Sequence, residues 1–430
     1  MDVQHHAPMR SRIAPGYTQS DAMPPVPWHD PSGVRITRVS ATITAPDGVN
    51  LVIVRVDTGE PGLIGWGCAT FTQRAFAVAE IVNTYLDPLL RGRDISDISD
   101  IWQTTTLDAY WRGGPDLGSA LAGVDEGLWD LAGKRLGVPT WHLLGGRVRT
   151  AVETYTHASG RDFQELADQV SACRDAGYRH VRCQMTVPGQ STYGAAQADR
   201  AHSTWDPEAY MRLVPNMFAQ LRERFGDELE IIHDVHERVD PHQAVRLLRA
   251  VEEYRPFFME DPVAPEDVDW LPRLRAHVST PIALGELLSD MQTFVRIVTE
   301  RQVDFVRCHI SAIGGLTPAR KLATLAELMG VRTAWHGPRD VSPIGHAVAL
   351  ALDLSSGAFG IHEHFEFSPQ TMEIFPGTPT TSDGMIAANT APGLGVEFDE
   401  DVARKHPPVS ASTNWHYSRV RRRDGSSQRP

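Results

Sequence analysis

The sequence predicts an α/β protein in which a (β/α) barrel follows a small α+β domain. From Ala151 onward, short β-prone runs alternate with helical stretches, and eight strand ends follow one another along the chain. The strand ends are spaced by 25, 52, 26, 26, 21, 29 and 27 residues, and about 30 residues is the size of one βα unit. They are expected near His157, Arg182, Asp234, Glu260, Glu286, Arg307, His336 and Glu363. A doubly wound sheet is the alternative, but it more often has a Gly-rich nucleotide turn after its first strand, and this sequence has none.

The first third of the chain has the pattern of a small α+β domain. Three runs rich in Val, Ile and Thr predict strands, and three helical patterns follow them. The strands are expected at Val34–Thr44, Leu51–Asp57 and Leu63–Thr70, and the helices at Ala75–Leu90, Asp97–Ala109 and Ser119–Leu136. We therefore divide the chain into a disordered arm (1–31), the α+β domain (32–145), the barrel (146–392) and a C-terminal segment (393–430). That last segment is expected to return to the first domain and to end in a flexible tail.

Composition and charge argue against several classes of function. Asp and Glu outnumber Lys and Arg by 54 to 41, a formal net charge of −13, which disfavours a nucleic-acid partner or an anionic membrane surface. An anionic substrate would then need a local cation, such as a metal ion or arginines. The four cysteines are widely spaced without a CxxC pair, which argues against a disulfide framework or a zinc site and favours the cytoplasm. With no run of about 18 apolar residues, we expect no membrane span.

Three acidic residues stand at successive strand ends. Asp234, Glu260 and Glu286 follow apolar β runs at intervals of 26 and 26 residues. Barrel enzymes place their chemistry at the C-terminal ends of the strands, and neighbouring strands lie about 4.8 Å apart. These carboxylates can therefore converge on one hard cation, and an all-oxygen, anionic ligand set favours Mg²⁺ over zinc. Such an ion can hold a substrate carboxylate and stabilise the enediolate formed when the α-proton leaves.

Removal of an α-proton also needs a base, and the lysines do not provide one. By the pattern above they fall in the small domain, in an outer helix and in the tail, away from the strand ends. They are Lys134, Lys321 and Lys405.

The remaining candidates for proton transfer lie at or near the strand ends. Arg182 ends the second strand, and Tyr193 lies in the long insertion that follows it. A nearby guanidinium would favour the tyrosine phenolate and make it a usable base. His236 lies two residues from Asp234, on the same side of the strand, and could act as a general acid. His336, at the seventh strand end, is a further candidate.

At these residues the sequence resembles the mannonate dehydratase subgroup of the enolase superfamily, whose members resemble mandelate racemase and muconate lactonizing enzyme. The similarity extends over roughly Val34 to Phe398. It is most specific in Ala109–Tyr–Trp–Arg–Gly–Gly, His233–Asp–Val–His, Trp335–His–Gly–Pro–Arg–Asp and Thr371–Met–Glu–Ile–Phe–Pro.

The resemblance implies a modified (β/α)8 barrel, written (β/α)7β, with an N-terminal α+β capping domain and one Mg²⁺. It also implies that a six-carbon aldonate loses water to give a 2-keto-3-deoxy acid, with D-mannonate, D-gluconate or both as the substrate. It further suggests a homo-oligomer. Asp234, Glu260 and Glu286 correspond to the metal ligands, Arg182 and Tyr193 to the base dyad, and His236 to the acid. The implied substrate contacts are His157, Arg307, His336, Asp340 and Glu363.

The chain departs from the subgroup at several positions. Thr72 replaces an asparagine of the capping loop, and His309 replaces a small hydroxyl residue. Pro338 matches members of the subgroup with weak mannonate activity and a preference for gluconate. No tryptophan in an Asp-Gly context follows Trp415 to close the site. These differences leave the physiological substrate open.

Two other functions stay open as alternatives. The chain could act on another acid sugar as a diverged member of the superfamily, or it could be a metal-binding relative without activity. Racemisation or cycloisomerisation commonly uses lysine bases on opposite sides of the substrate, and their absence from the strand ends disfavours those reactions.

Overall fold

The computed structural model describes residues 33–187, 204–410 and 421–428. The expected arm (1–31) and Tyr193 lie outside the described residues, as does most of the expected C-terminal tail. From Val34 onward the described chain forms one compact unit.

An antiparallel three-stranded sheet opens this unit. Its order is β1–β2–β3, and β1 and β2 are joined through the turn at Asp47–Gly48. Its strands are β1 (Ile36–Thr44), β2 (Leu51–Thr58) and β3 (Ile64–Cys68). The helices that follow are α1 (Ala75–Glu80), continued by a π-helical stretch (Ile81–Leu86), α2 (Asp87–Leu90), α3 (Ile98–Asp108), α4 (Pro115–Leu136) and α5 (Thr140–Leu143).

Helix α4 lies directly on β3 because glycines on both elements remove the side chains between them. A Cβ atom built on Gly67 would come within 1.9 Å of the carbonyl oxygen of Gly123. The same helix also contacts the barrel, where the Asp125 carboxylate accepts a hydrogen bond from the backbone N–H of Thr317 at 2.8 Å. Helix α4 thereby fixes the three-stranded sheet, which we call the capping sheet, relative to the barrel.

The second part of the unit is a barrel of parallel strands. Its strand order is β11-β10-β9-β8-β7-β5-β4-β12, and it closes where Thr333 of β11 bridges to Phe359, just before β12. The strands, with β6 outside the barrel, are β4 (Ala151–Gly160), β5 (His180–Met185), β6 (Thr204–Trp205), β7 (Glu230–Asp234), β8 (Phe258–Glu260), β9 (Ile282–Leu284), β10 (Phe305–Val306), β11 (Arg332–Thr333) and β12 (His362–Glu363). The predicted fold class, a (β/α)-type barrel with an α+β capping domain, is confirmed.

Apolar side chains fill the barrel interior below the strand ends. This interior cluster comprises Tyr155, Ile232, Phe258, Ala283, Phe305, Ala334 and Ile361. It is a packed layer in which bulky side chains from successive strands exclude water, as is typical of barrel cores.

The outer helices alternate with the strands and cover them. They are α6 (Phe163–Asp175), α7 (Pro207–Phe225), α8 (Pro241–Val251), α9 (Leu271–Arg275), α10 (Met291–Thr299), α11 (Leu316–Met329) and α12 (Pro343–Ser355). The chain ends with α13 (Pro369–Ile374), β13 (Met385–Ala387), α14 (Glu400–Ala403) and β14 (Arg421–Arg422).

Several strands end earlier than the sequence pattern suggested. Glu286, Arg307 and His336 lie two, one and three residues beyond β9, β10 and β11. The β9 ladder stops because the chain turns at Gly285, whose φ is +140°. His157 and Arg182 lie inside β4 and β5. These residues still lie toward the C-terminal end of the barrel strands, because the loop after each strand continues in the direction of that strand.

The segment after β13 contacts the capping sheet. The indole N–H of Trp66 donates to Glu397 at 2.9 Å, and Asn50 exchanges two hydrogen bonds with the backbone of Val409. Among the described residues, no helix combines the length and the apolar character that crossing a membrane requires.

Candidate active site

The predicted metal-binding carboxylates converge at the C-terminal ends of neighbouring barrel strands. Asp234 is the last residue of β7 and pairs in register with Glu260, the last residue of β8. Glu286 follows β9 across the turn at Gly285. Asp234 and Glu260 are both fully buried, at 0% exposure. Their burial at the mouth of a barrel is costly unless a positive charge compensates it.

Several carboxylate oxygens in this cluster have no hydrogen-bond donor among the described residues. These atoms are Asp234 Oδ1, Glu260 Oε2 and Asp261 Oδ2. Glu260, Asp261 and Glu286 bring one oxygen each within 4.8 Å of one another. Buried anionic oxygens that face each other without donors fit a hard divalent cation.

Asp261 is the residue that the sequence analysis did not single out. It follows Glu260 directly and adopts φ +38°, a backbone conformation that few non-glycine residues reach. Its Oδ1 accepts a hydrogen bond from the Gly285 N–H at 3.2 Å. Asp234, by contrast, lies outside the 4.8 Å group. The Met259–Glu260–Asp261 run was the signal that could have pointed to a second acid at this strand end.

Two buried arginines contact the carboxylates. Arg182 Nη1 lies 3.5 Å from Asp234 Oδ2 and 3.5 Å from Glu260 Oε2. The Arg307 guanidinium donates to Glu260 through Nε and to Glu363 Oε2 through Nη2, the latter at 2.6 Å. Arg307 is completely buried and Arg182 nearly so. Both therefore act as fixed positive charges within the site.

The pKa values of the acids reflect crowding of negative charge. Burial raises the pKa of Glu286 well above its usual value, and neighbouring carboxylates add to the shift. Burial likewise raises the pKa of Glu260. For Asp234 burial again acts upward, but His236 and Arg182 outweigh it and the pKa is lowered. The cluster holds more negative charge than its arginines neutralise, which favours an additional cation.

Three histidines predicted for the site lie around these acids. His336 Nε2 is 3.2 Å from Glu286 Oε2, and His236 Nε2 is 3.7 Å from Glu286 Oε1. His157 Nε2 is 2.8 Å from Glu363 Oε1. Burial lowers the pKa of His157 to about 4, so its ring is neutral near pH 7. The described part of the site thus offers imidazole groups on two sides of Glu286.

Glu363 joins several of these groups. Besides Arg307 and His157, the backbone N–H of Gly337 donates to its Oε2 at 2.6 Å. Burial acts to raise the pKa of Glu363, but Arg307 and His157 outweigh it, and the pKa falls well below the usual value. Glu363 is therefore an ionised anchor for the loop that follows β11.

The capping domain reaches the site through the residues after β3. Thr72 Oγ1 donates to Asp340 Oδ2 at 3.1 Å, which places Asp340 at the boundary between cap and barrel. His309 lies beside it, with its Nδ1 at 2.8 Å from His336 Nδ1. The contact between the two imidazoles was not predicted, since it joins residues from two different loops.

The structure brings together every predicted site residue that it describes. Tyr193 alone among them lies outside the described residues. The roles of the others as ligands, acid or substrate contacts stay predictions that the geometry makes chemically feasible.

Comparison with known proteins gives matches over nearly the whole chain. Residues 31–145 match the N-terminal domain family of mandelate racemase and muconate lactonizing enzyme, and residues 165–402 match the enolase C-terminal domain-like family. A D-galactonate dehydratase family member from Streptomyces sp. (strain SPB78) is 45% identical over 99% of this chain and 99% of its own length. Another, from Catenulispora acidiphila, is 48% identical over 94% of this chain and 96% of its own.

Two solved structures are similar to this chain. A crystal structure of an enolase from Pantoea ananatis, with bound D-gluconate and Mg, is 42% identical and covers 92% of this chain and 100% of its own, with a TM-score of 0.87. An enolase superfamily member from Salmonella typhimurium shares the fold at 23% identity, with a TM-score of 0.77 over 87% of this chain and 98% of its own.

Proposed function

The chain belongs to the enolase superfamily, in the D-galactonate dehydratase family, and we propose that it is a Mg²⁺-dependent acid-sugar dehydratase. In this reaction a six-carbon aldonate loses water to give a 2-keto-3-deoxy acid. The relatives are named as dehydratases, and one structural neighbour contains D-gluconate and Mg.

The observation that carries the proposal is the cluster of buried carboxylates at the strand ends. Asp234, Glu260 and Glu286 would hold the ion. Asp234 pairs in register with Glu260, and Glu260 and Glu286 each bring one oxygen within 4.8 Å of an oxygen of Asp261. When bound, Mg²⁺ supplies positive charge that holds a substrate carboxylate and lowers the cost of removing the neighbouring proton. Asp234 Oδ1 and Glu260 Oε2 accept no hydrogen bond from the described residues, which supports this assignment.

Two proton transfers are required, and we assign them to separate residues. Tyr193 is proposed as the base that takes the C2 proton, with Arg182 as the cation that lowers the cost of its phenolate. His236 is proposed as the acid that protonates the hydroxide leaving C3, because it follows Asp234 by two residues and its Nε2 points toward Glu286.

The other site residues would position the substrate. His157, His336 and Asp340 keep some exposure at the mouth of the site, so each could bind substrate hydroxyls directly. Arg307 and Glu363 are buried. These two would act mainly by fixing the charges and loops on which the substrate rests.

The narrower assignment is to D-mannonate, D-gluconate or both, within the mannonate dehydratase subgroup. Support for gluconate comes from the ligand of the Pantoea ananatis enolase and from Pro338. D-galactonate is a further substrate to test because of the names of the relatives.

A substrate screen tests the proposal. The purified protein with Mg²⁺ is incubated with acid sugars that include these three aldonates, and 2-keto-3-deoxy acid is measured. We expect product from at least one aldonate, loss of product with EDTA, and loss in Glu260→Gln but not in the exposed control Glu266→Gln. Absence of product from every acid sugar would favour a metal-binding relative without activity.

A further inference from the structure

Gln184 is a buried polar residue of β5 that faces the candidate metal site. It lies two residues after Arg182, so both side chains point to the same face of the strand. Only 7% of Gln184 is exposed. Its Nε2 lies 3.3 Å from the backbone carbonyl oxygen of Asp234 and 3.5 Å from the carboxylate oxygen Oδ2 of the same residue. Gln184 thus contacts a proposed metal ligand directly.

The barrel sheet opens between β5 and β7 at the level of the metal site. The ladder between these two strands ends at the pair formed by Arg182 and Ile232. Each strand continues beyond that pair, because β5 still pairs with β4 and β7 still pairs with β8. The Gln184 side chain spans the opening and reaches the Asp234 carbonyl oxygen. It therefore connects the two strands where the backbone ladder no longer does.

The chemistry of the partners fixes the orientation of the Gln184 amide. A carbonyl oxygen accepts but cannot donate, so the Gln184 atom beside it is the amide nitrogen. This nitrogen carries two hydrogens, one for the Asp234 carbonyl oxygen and one for Oδ2. Arg182 Nη1, at 3.5 Å from the same Oδ2, adds a positive charge on that side. Groups on β5 thus hold the Oδ2 atom of Asp234.

The other carboxylate oxygen of Asp234 is left for a cation. Oδ1 is buried and accepts no hydrogen bond from the described residues. Because Oδ2 is held toward β5, the carboxylate cannot easily turn to place both oxygens on one ion. Binding through one oxygen suits Mg²⁺, which requires near-octahedral geometry with short bonds, whereas Ca²⁺ accepts both oxygens of a carboxylate.

We propose that Gln184 is a positioning residue that holds Asp234 Oδ2 away from the ion, so that Asp234 binds through Oδ1 alone and the site favours Mg²⁺ over Ca²⁺. The proposal rests on the metal site of the proposed function but not on the identity of the acid sugar. It is also independent of proton transfer, because the Gln184 amide does not titrate.

Two substitutions remove the contact without changing the charge of the site. Gln184→Met has a similar length but no donor, and Gln184→Asn keeps the amide on a side chain that is shorter by one carbon. In both variants Asp234 can turn so that both of its oxygens face the ion. We expect the Mg²⁺ affinity to fall by about 10–100-fold, the usual effect of losing an outer-shell partner. The Ca²⁺ affinity should fall less, because the larger ion accepts the second oxygen.

The matched control is Gln302→Met. Gln302 is also buried, at 6% exposure, but it precedes β10 and therefore lies toward the N-terminal end of that strand, away from the metal site. Its Nε2 donates to Glu300, so the substitution removes a buried amide contact of the same kind. The affinities for both ions should stay at the parent values.

Calorimetric titration of the metal-stripped proteins with MgCl₂ and with CaCl₂ gives the two dissociation constants without any turnover. We expect the ratio of the Ca²⁺ constant to the Mg²⁺ constant to fall in both Gln184 variants and to stay unchanged in Gln302→Met. An equal loss of affinity for both ions would overturn the proposal, because a general disturbance of the site acts on both. Unchanged Mg²⁺ affinity in the Gln184 variants, or a parent protein that binds neither ion, would overturn it as well.

Two checks keep the result unambiguous. Circular dichroism in EDTA shows whether each variant folds, and if Gln184→Met does not fold, Gln184→Asn decides. If no acid sugar gives product, the proposed function fails, but the ratio of the two dissociation constants still decides the role of Gln184.

Discussion

Replacing the buried Arg307 by methionine should destabilise the protein by an amount that its contacts define. Arg307 is completely buried and pairs with Glu260 and Glu363, and its Nη2 lies 3.9 Å from Glu286 Oε2. Methionine fills much of the same space without the charge. Removing one partner of a buried ion pair costs about 3–5 kcal/mol, because the remaining carboxylates stay buried without compensation.

This cost converts into a measurable change in the thermal midpoint. At about 2.1 cal/mol/K per residue, unfolding of a chain of 430 residues has an entropy of about 0.9 kcal/mol/K. The expected loss is therefore about 3–6 °C, measured by calorimetry or circular dichroism in EDTA. Mg²⁺ should then stabilise Arg307→Met more than the parent, because the carboxylates that the substitution leaves unpaired attract the cation. An ion present at 100 times its Kd adds about 2.7 kcal/mol to the free energy of unfolding.

The matched control is Arg296→Met. Arg296 pairs with Asp269 at 2.6 Å, but both side chains are largely exposed, at 42% and 80%. Exposed pairs contribute little, so this variant should change the midpoint by no more than about 1 °C. If Arg307→Met falls by no more than the control, or if Mg²⁺ stabilises it no more than the parent, the charge balance argued for the site is wrong.

Three further predictions follow from the site and from the interface between cap and barrel. Tyr193→Phe should abolish both turnover and exchange of the C2 proton with D₂O. His236→Asn should block turnover but retain exchange, because removal of the C2 proton comes first. Exchange that survives only in Tyr193→Phe would mean that the two roles are reversed. Burial raises the pKa of Asp125 from 3.8 to about 7, so folding stability is lost as the pH rises from about 4 to about 7. Asp125→Asn should therefore have a higher thermal midpoint than the parent near pH 8, and the difference should disappear toward pH 5. Parallel pH profiles of the thermal midpoint for Asp125→Asn and the parent would contradict the raised pKa of Asp125. We also expect a homo-oligomer, and sedimentation as a monomer across micromolar concentrations would refute it.

The barrel was predictable because its signal is periodic and local. Eight β-prone runs at intervals near one βα unit identify the fold even though β10, β11 and β12 are only two residues long. The acids at the strand ends were predictable for the same reason, since the C-terminal ends of parallel strands share one edge. The ends of the hydrogen-bonded ladders were less predictable, because turns such as the one at Gly285 depend on backbone conformation.

Contacts between distant segments could not be read from the pattern. Thr72 and Asp340 are 268 residues apart, and His309 and His336 come from different loops.

The spacing of residues in the sequence also does not show how deeply a side chain is buried. Arg307 was expected to contact substrate, and the structure places it fully buried against Glu260 and Glu363. The position of Asp261 beside Glu260 and Glu286 depends on its positive φ, which the sequence does not predict.

Titration of the metal-stripped protein with Mg²⁺ in a calorimeter measures whether the carboxylates at the strand ends hold the ion. We expect one ion per chain, with binding lost in Asp234→Asn and Glu260→Gln while both variants keep the fold. Asp261→Asn, the acid adjacent to Glu260, should still bind, because Asp261 already accepts a hydrogen bond from Gly285. Normal Mg²⁺ binding by Glu260→Gln, or binding that is lost in Asp261→Asn and kept in Asp234→Asn, would contradict the ligand set proposed here.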